Sequence, residues 1–158
     1  MLDERFSLTL MLVAPPRSAY LRKLRRLAAM QGRTEVVPPV SFEAIVPTLN
    51  AYDIGVSLLP PVTINQKLAL PNKLFEFIQA RLAVATSPNP AMADLVDRHR
   101  VGVVSEAYTP AALAAVLNRL TADQIDAMKQ SSHVAADRLH SGVVISDWQQ
   151  WVREALTA

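Results

Sequence analysis

The stretch LALPNKLFEFIQARLAVATS, from Leu68 to Ser87, decides the fold. Its middle has apolar residues at helical spacing, and its end is a short apolar run typical of a buried strand. Pro71, Asn72 and Lys73 open the predicted helix, and Glu76 follows one turn later. A lysine at a helix N-terminus costs about 0.3–1 kcal/mol, because the helix dipole already places positive charge there. The residue pattern therefore raises the question of whether an anion binds at the start of this helix.

The predicted helix has two different faces. At 100° per residue, the residues expected against the sheet are Leu74, Phe77, Ile78 and the stem of Arg81. Asn72, Lys73 and Glu76 point away from that face. Free backbone N–H groups at such an end bind anions such as phosphate, and Glu76 can accept two hydrogen bonds from a vicinal diol such as a ribose. An ordinary surface pair between Glu76 and Lys73 is the alternative interpretation.

Strand and helix patterns alternate along the rest of the chain. Strands are predicted at Phe6–Ala14, Asp53–Leu58, Leu82–Ser87 and Gly102–Val104, and 34–40 is predicted as a short strand that runs into a proline-rich loop. The remaining predicted helices are Ala19–Gln31, Phe42–Asn50, Pro90–His99, Pro110–Leu120, Ala122–Arg138 and Ser146–Leu156, and a loop is expected over Leu59–Leu70. This rhythm predicts one α/β domain with a doubly wound parallel sheet.

The composition excludes several classes of protein. The 158 residues contain no cysteine and only four glycines, so disulfides, thiolate metal sites and glycine-rich nucleotide loops of the GxGxxG or GxxxxGK type are absent from the sequence. His133 and His140 lack metal-ligand spacing, so no metal site is expected. With no apolar run of membrane-spanning length and no basic leader, a cytoplasmic location is predicted.

Basic residues are concentrated in one segment. Arg17, Arg22, Lys23, Arg25, Arg26 and Arg33 occur there without an acid. We interpret them first as a solvated helix face. Contact with anionic membrane lipid, which would make the protein membrane-associated, or with a protein partner is the alternative. Nucleic acid is not expected as a partner, because no recognition motif or stacking aromatic residues accompany the charges.

Several segments resemble one protein family. DIGVSLLPP, LPNKLFEFIQARLAVATS and RVGVVSEAYTPAALAAVLNRL are similar to the nucleotide-sugar-binding C-terminal half of GT-B glycosyltransferases, with the retaining group 1 family as the best match. That family has a P-x-K-x-x-E-like or E-x7-E segment at the start of a helix. The resemblance covers nearly the whole chain, and its central segment is the most specific part.

The resemblance implies a function and a set of site residues. Glu76 would bind the donor's ribose, and the backbone at Asn72, Lys73 and Leu74 would hold the diphosphate. The loop Pro38–Val40, with Val40, would lie near the base. The implied reaction transfers a sugar from a nucleotide diphosphate sugar to an acceptor with retention; the nucleotide sugar is a substrate, and no cofactor or metal is implied. No catalytic residue is identified.

The sequence departs from that family in two ways. Leu68 stands where the E-x7-E pattern has its first glutamate, and Gln66 or Lys67 are the candidate substitutes for contacting the sugar. The first strand–helix unit of the donor half and the N-terminal acceptor domain have no counterpart. We therefore expect residues 1–158 to be a single partial donor-binding domain, inactive alone, that closes the gap in its sheet, borrows a strand or forms a homodimer.

Two further possibilities concern what the chain does and what it contacts. A non-catalytic α/β interaction module that kept the GT-B fold but lost donor chemistry is the alternative function; a sugar-nucleotide epimerase is a weaker one.

Trp148 and Trp151 share a helical stripe. We interpret them first as core-packing aromatics, and exposed indoles would instead indicate a surface for the absent domain.

Overall fold

Strands and helices alternate in residues 1–15 and 17–157, which the computed structural model describes. The strands are β1 (Leu8–Met11), β2 (Thr34–Val37), β3 (Ile54–Ser57), β4 (Ala83–Thr86) and β5 (Gly102–Val104). The helices are α1 (Ala19–Gln31), α2 (Ile45–Leu49), α3 (Ile64–Leu68), α4 (Asn72–Gln79), α5 (Pro90–His99), α6 (Pro110–Asn118), α7 (Ala122–Ala136) and α8 (Ser141–Thr157). The predicted α/β alternation with parallel strands is confirmed.

The strands form two separate parallel sheets. β1 pairs with β2, with Leu8 opposite Thr34. The second sheet has the order β3–β4–β5. This is the parallel arrangement expected with the first strand–helix unit missing, and the option that the chain closes the gap in its own sheet is wrong: β1 and β3 each have one edge that pairs with no other strand of the described chain.

The core of the second sheet lies around β4. Every residue from Ala83 to Thr86 is at most 1% exposed. On one face, Val84 packs with Leu74 and Ile78 of α4 and with residues of α5 and α7. On the other face, Ala85 packs with α6. Helices on both faces give the doubly wound arrangement. The predicted inner face of α4 is confirmed for Leu74 and Ile78, which are 0% exposed, and for Phe77, whose ring lies against Gly55. Arg81 lies beyond the end of α4, with φ of 64°, and is not part of that face.

Local sequence signals explain several helix boundaries. Gly32 ends α1 in the left-handed conformation with φ of 67°, which glycine adopts without a steric cost. Thr109 caps α6 by accepting a hydrogen bond from the N–H of Ala112 at 3.2 Å, and Pro110 follows as the first helical residue. The helix predicted at Phe42–Asn50 is instead a 3-10 turn, Phe42–Ala44, followed by the short α2.

The segment predicted as a loop between β3 and α4 contains a helix. α3 begins after Thr63, whose side chain accepts a hydrogen bond from the N–H of Gln66 at 3.2 Å. The Gln66 side chain in turn accepts one from the N–H of Thr63 at 3.0 Å. This reciprocal pair is a capping box, so the signal Thr-x-x-Gln was readable in the sequence.

The outer helices differ in how much of their surface is covered. α1 buries Leu21 and Ala28, and its arginines and lysine are exposed, which agrees with a solvated face. In α8, Trp148 is 62% exposed and Trp151 is 59% exposed, so the core-packing interpretation of these indoles is wrong. Among the described helices, none combines the length and apolar character needed to cross a membrane.

Candidate functional site

A cavity of about 860 Å³ separates the two sheets. All four residues of β1 line one wall, and Ile54 and Val56 of β3 line the opposite wall. Val40, Lys73 and Glu76 also line it. Because Val40 follows β2 and Lys73 lies at the start of α4, these residues mark the mouth of the cavity at the carboxyl ends of the strands. Ligands of doubly wound folds bind at that edge.

The start of α4 has backbone donors without an internal partner. Pro71 is the N-cap residue and provides no capping side chain. The N–H of Leu74 donates to the carbonyl of Pro71 at 2.9 Å, and the Leu74 side chain is fully buried. Within the described chain, the N–H groups of Asn72 and Lys73 have no hydrogen-bond acceptor. Of the three amides expected to hold a diphosphate, two are therefore available and that of Leu74 is engaged inside the protein.

Lys73 and Glu76 lie one turn apart without forming an ion pair. Lys73 is exposed and Glu76 is half-buried. In the part of the chain that the structure describes, neither side chain takes part in a salt bridge. The alternative interpretation, an ordinary surface ion pair between Glu76 and Lys73, is therefore wrong. Both charges remain available for a ligand at the cavity mouth.

The residues proposed as substitutes for the first glutamate of the family pattern lie outside the cavity. Gln66, Lys67 and Leu68 belong to α3 and are not among the residues that line the cavity. The Gln66 side chain is occupied by the capping box with Thr63. Leu68 is 61% exposed. The structure thus brings Val40, Lys73 and Glu76 to one cavity and leaves the two candidate sugar contacts outside it.

A buried polar network, which sequence reasoning missed, fixes the approach to α4. The Ser87 hydroxyl accepts a hydrogen bond from the N–H of Leu59 at 2.9 Å and donates to the side-chain oxygen of Asn89 at 2.7 Å. The Asn89 amide then donates to the carbonyl of Gln66 at 2.9 Å. Ser87 and Asn89 are both 0% exposed. These bonds hold α3 against the end of β4. The sequence signal that could have revealed this network is the pair of hydrogen-bonding side chains, Ser87 and Asn89, that follows an apolar strand.

Histidines and acids are dispersed over the described part of the chain. His133 accepts a hydrogen bond from the guanidinium Nε of Arg81 at 3.1 Å, and His140 accepts one from the N–H of Gly142 at 3.1 Å. No three histidine, aspartate or glutamate side chains within the described ranges are placed to share a metal ion. The candidate site therefore consists of the N-terminus of α4, the Lys73 amine and the Glu76 carboxylate.

Comparison with known proteins supports the fold. No protein-family model and no curated protein matches the sequence. Among solved structures, the chain is similar to WaaG, a glycosyltransferase involved in lipopolysaccharide biosynthesis, with a TM-score of 0.57 and 17% identity. The match covers 86% of this chain and 44% of WaaG, so the chain spans less than half of that protein's length. At this identity the similarity establishes a fold: the chain has the Rossmann-like α/β architecture of one part of a glycosyltransferase.

Proposed function

We propose that residues 1–158 form the donor-binding half of a retaining glycosyltransferase of the GT-B group 1 type, which transfers a sugar from a nucleotide diphosphate sugar to an acceptor. The observation that carries the proposal is the convergence of Val40, Lys73 and Glu76 on one cavity. These residues come from two distant segments and meet at the sheet edge where nucleotides bind in this architecture. The fold similarity to WaaG is independent support.

Each group at the cavity mouth has a role in this proposal. The free amides of Asn72 and Lys73, together with the Lys73 ammonium, bind the diphosphate, because a helix start favours negative charge. The Glu76 carboxylate accepts hydrogen bonds from the ribose hydroxyls. The backbone near Val40 contacts the base. The same amides and the Lys73 ammonium offset the charge of the leaving nucleotide, so the departing diphosphate is stabilised by groups of the protein itself.

Half-burial of Glu76 strengthens its expected contribution. A hydrogen bond to a charged acceptor contributes about 1.5–3 kcal/mol, more than one between neutral groups. A carboxylate at the wall of a cavity is less screened by water than one on the open surface. We therefore assign Glu76 the largest single side-chain contribution to ribose binding.

Calorimetric titration with UDP and GDP tests the proposal. The Glu76→Gln variant keeps the shape of the side chain and removes its charge, and is expected to weaken binding by about 10- to 100-fold, corresponding to roughly 1.4–2.8 kcal/mol. Glu154→Gln is the matched control, because Glu154 lies on α8 away from the cavity and is exposed. Equal affinity of the Glu76→Gln variant and the unaltered protein would reject the ribose assignment.

A non-catalytic interaction module is the second candidate function. Leu68 replaces the acid that the family pattern has at the sugar, and no strand of the described residues lies between β1 and β3. Absence of any binding heat with both nucleotides at millimolar concentration, in protein that circular dichroism shows to be folded, would favour this candidate. Detectable binding that depends on Glu76 favours the donor-binding half.

A further inference from the structure

Helix α1 carries positive charge that no acid in the described chain neutralises. Residues 5–34 contain no aspartate or glutamate. Arg33 donates from its guanidinium to the carbonyls of Asp3 and Phe6 at 2.9 and 2.8 Å, so it is held against the N-terminal segment. Five other basic side chains, on α1 and the turn before it, are exposed and take part in no salt bridge within the described residues: Arg17, Arg22, Lys23, Arg25 and Arg26. These five charges are open to an external anion.

The stability of the helix does not account for these charges. A helix is stabilised by acids in its first turn and by cations in its last turn. The first turn of α1 contains no acid, and its last turn contains no basic residue. The basic residues of α1 lie between the two ends, where the helix dipole gives them little stabilisation.

Apolar side chains are exposed on the outward side of α1. Tyr20 is 66% exposed, Leu27 is 43% exposed and Met30 is 75% exposed. At 100° per residue these three lie within an arc of about 80°, with Lys23 among them and Arg26 at the border of the arc. The buried residues of α1 lie on a different side of the helix. An apolar strip and a group of cations therefore share one exposed surface.

The other long helices do not show this combination. The helices α4 to α7 together expose one large apolar side chain, Val134. α8 exposes several, but its sequence has one basic residue against two acids. Among the described helices of at least 8 residues, α1 alone combines exposed apolar side chains with an excess of basic residues.

This combination indicates the chemistry of the partner. Basic residues beside an apolar strip are typical of helices that lie in the interface of a membrane. Long Lys and Arg side chains place their charged ends among lipid phosphates while their stems cover apolar surface. Nucleic acid supplies the same negative charge but no apolar phase for Leu27 and Met30. A stable protein interface needs about 800 Å² on each side, and a helix of 13 residues, roughly 20 Å long and 10 Å wide, presents much less.

We propose that the outward side of α1 docks on the surface of an anionic lipid bilayer, with the helix axis parallel to the membrane plane. Tyr20, Leu27 and Met30 enter the boundary between headgroups and acyl chains, about 5–10 Å deep, and the basic side chains beside them contact lipid phosphates. The attachment is peripheral and reversible, because it depends on charge and on three apolar side chains. No residue of α1 lines the cavity of the candidate site, so the inference is independent of nucleotide binding.

Sedimentation of residues 1–158 with lipid vesicles tests the inference. The probes are vesicles of phosphatidylcholine alone and vesicles in which phosphatidylglycerol replaces about a third of the lipid. Binding to the anionic vesicles is expected to be tighter by about tenfold or more. Raising the salt concentration from about 0.1 M to about 1 M shortens the Debye length from about 10 Å to about 3 Å, and is expected to release most of the bound protein.

A charge-removal variant locates the contact on α1. Arg22→Gln/Lys23→Gln/Arg26→Gln is expected to weaken binding to the anionic vesicles by about 100-fold, because each basic residue near such a surface contributes roughly a fivefold factor. Circular dichroism checks that the variant is folded. If it does not fold, the two kinds of vesicle with the unaltered protein still decide the question.

A matched control removes the same charge from other places. Lys67→Gln/Arg138→Gln/Arg153→Gln changes three exposed basic residues outside α1. Charges away from the contact are screened beyond a Debye length of about 10 Å, so this variant is expected to lose less than about fivefold in affinity. Equal losses in the two variants would show attraction by net charge alone and would overturn the assignment to α1.

A fluorescent probe tests whether the apolar strip enters the bilayer. Met30→Trp is made in protein that also carries Trp148→Phe and Trp151→Phe, so that position 30 gives all the indole emission. With anionic vesicles its emission is expected to move to shorter wavelength and to be quenched by lipids brominated on the acyl chains. Gln130→Trp in the same background is the matched control, because Gln130 is exposed on α7, and its emission is expected to stay at long wavelength.

Three further results would overturn the inference. One is equal binding to the two kinds of vesicle, or no binding to either, at low salt. Another is binding of the Met30→Trp protein without a change in emission, because the strip would then stay outside the bilayer. The third is tight binding to a double-stranded DNA oligonucleotide with no binding to anionic vesicles, which would identify nucleic acid as the partner. A loss of UDP binding alone would count against the donor-binding proposal and not against this one.

Discussion

The ring of Phe77 lies directly over the backbone of Gly55. A Cβ atom at position 55 would be 2.2 Å from Cγ of Phe77, well inside van der Waals contact. This close approach seats α4 on β3 and so places Lys73 and Glu76 beside the cavity. The absence of a side chain on Gly55 is therefore a requirement for the geometry of the candidate site.

Gly55→Ala is expected to destabilise the fold by about 1–3 kcal/mol, the usual cost of overpacking a tight interior. Chemical denaturation measures the change in the free energy of unfolding. The double variant Gly55→Ala/Phe77→Leu removes the ring from the contact and is expected to cost less than the sum of the two single variants. Full additivity would show that the two residues are not coupled.

Gly102→Ala is expected to be more damaging than Gly55→Ala. A Cβ at position 102 would be 1.8 Å from the backbone carbonyl oxygen of Val84, and a paired strand cannot move aside as a side chain can. We expect a loss of about 3 kcal/mol or more in the free energy of unfolding. Gly142→Ala is the matched control: its Cβ would meet only the side-chain ring of the exposed His140, which can rotate aside at the cost of one exposed hydrogen bond, and its effect should stay within about 0.5 kcal/mol. Comparable losses in the two variants would contradict this account.

Asn89→Ala is expected to loosen α3 as well as to lower stability. The change removes the acceptor for the Ser87 hydroxyl and the donor to Gln66, and unpaired buried polar groups cost about 1–3 kcal/mol. Hydrogen exchange should accelerate at 64–68 more than in β4. The exposed Gln130→Ala change on α7 should leave both measurements unaltered. Uniform acceleration across the whole chain would point to global destabilisation without a specific link to α3.

Lys73→Ala is expected to weaken UDP binding most at low ionic strength. The ammonium acts on the diphosphate through charge, and its effect on an exposed ligand declines as salt shortens the Debye length from about 30 Å at 0.01 M to 8 Å at 0.15 M. Lys67→Ala serves as the matched control, because Lys67 is exposed and does not line the cavity. Equal losses for the two variants at each salt concentration would indicate general attraction by positive charge.

The two tryptophans give a direct probe of α8. Trp148 and Trp151 are the only tryptophans in the chain, and both indoles are more than half exposed. Fluorescence emission of residues 1–158 is therefore expected at the long wavelengths of hydrated indole and should be strongly quenched by acrylamide. Emission at short wavelength with weak quenching would show that another surface covers this face of α8.

The sequence by itself determined the local elements and the character of α4. The positions of Leu74 and Ile78 predicted the buried face, because helical periodicity alone decides which side chains share a side. Gly32 and the Thr109–Pro110 pair predicted boundaries through backbone conformation and capping, which are also local effects. The placement of Asn72, Lys73 and Glu76 away from the face that packs on β4 followed from the same geometry. The Thr63–Gln66 capping box was equally local, and α3 could have been found from it.

Only the tertiary structure decided how distant segments meet. Whether β1 pairs with β3 depends on hydrogen bonds between residues far apart in sequence, and no local pattern decides that pairing. The convergence of Val40 with Lys73 and Glu76, and the exclusion of Gln66 from the cavity, likewise depend on how the two sheets and α3 are packed. The α8 indoles are exposed because no element within residues 1–15 and 17–157 covers that face of the helix. An apolar stripe in the sequence indicates that a helix face favours burial, but the packing of the surrounding chain determines whether that face is buried.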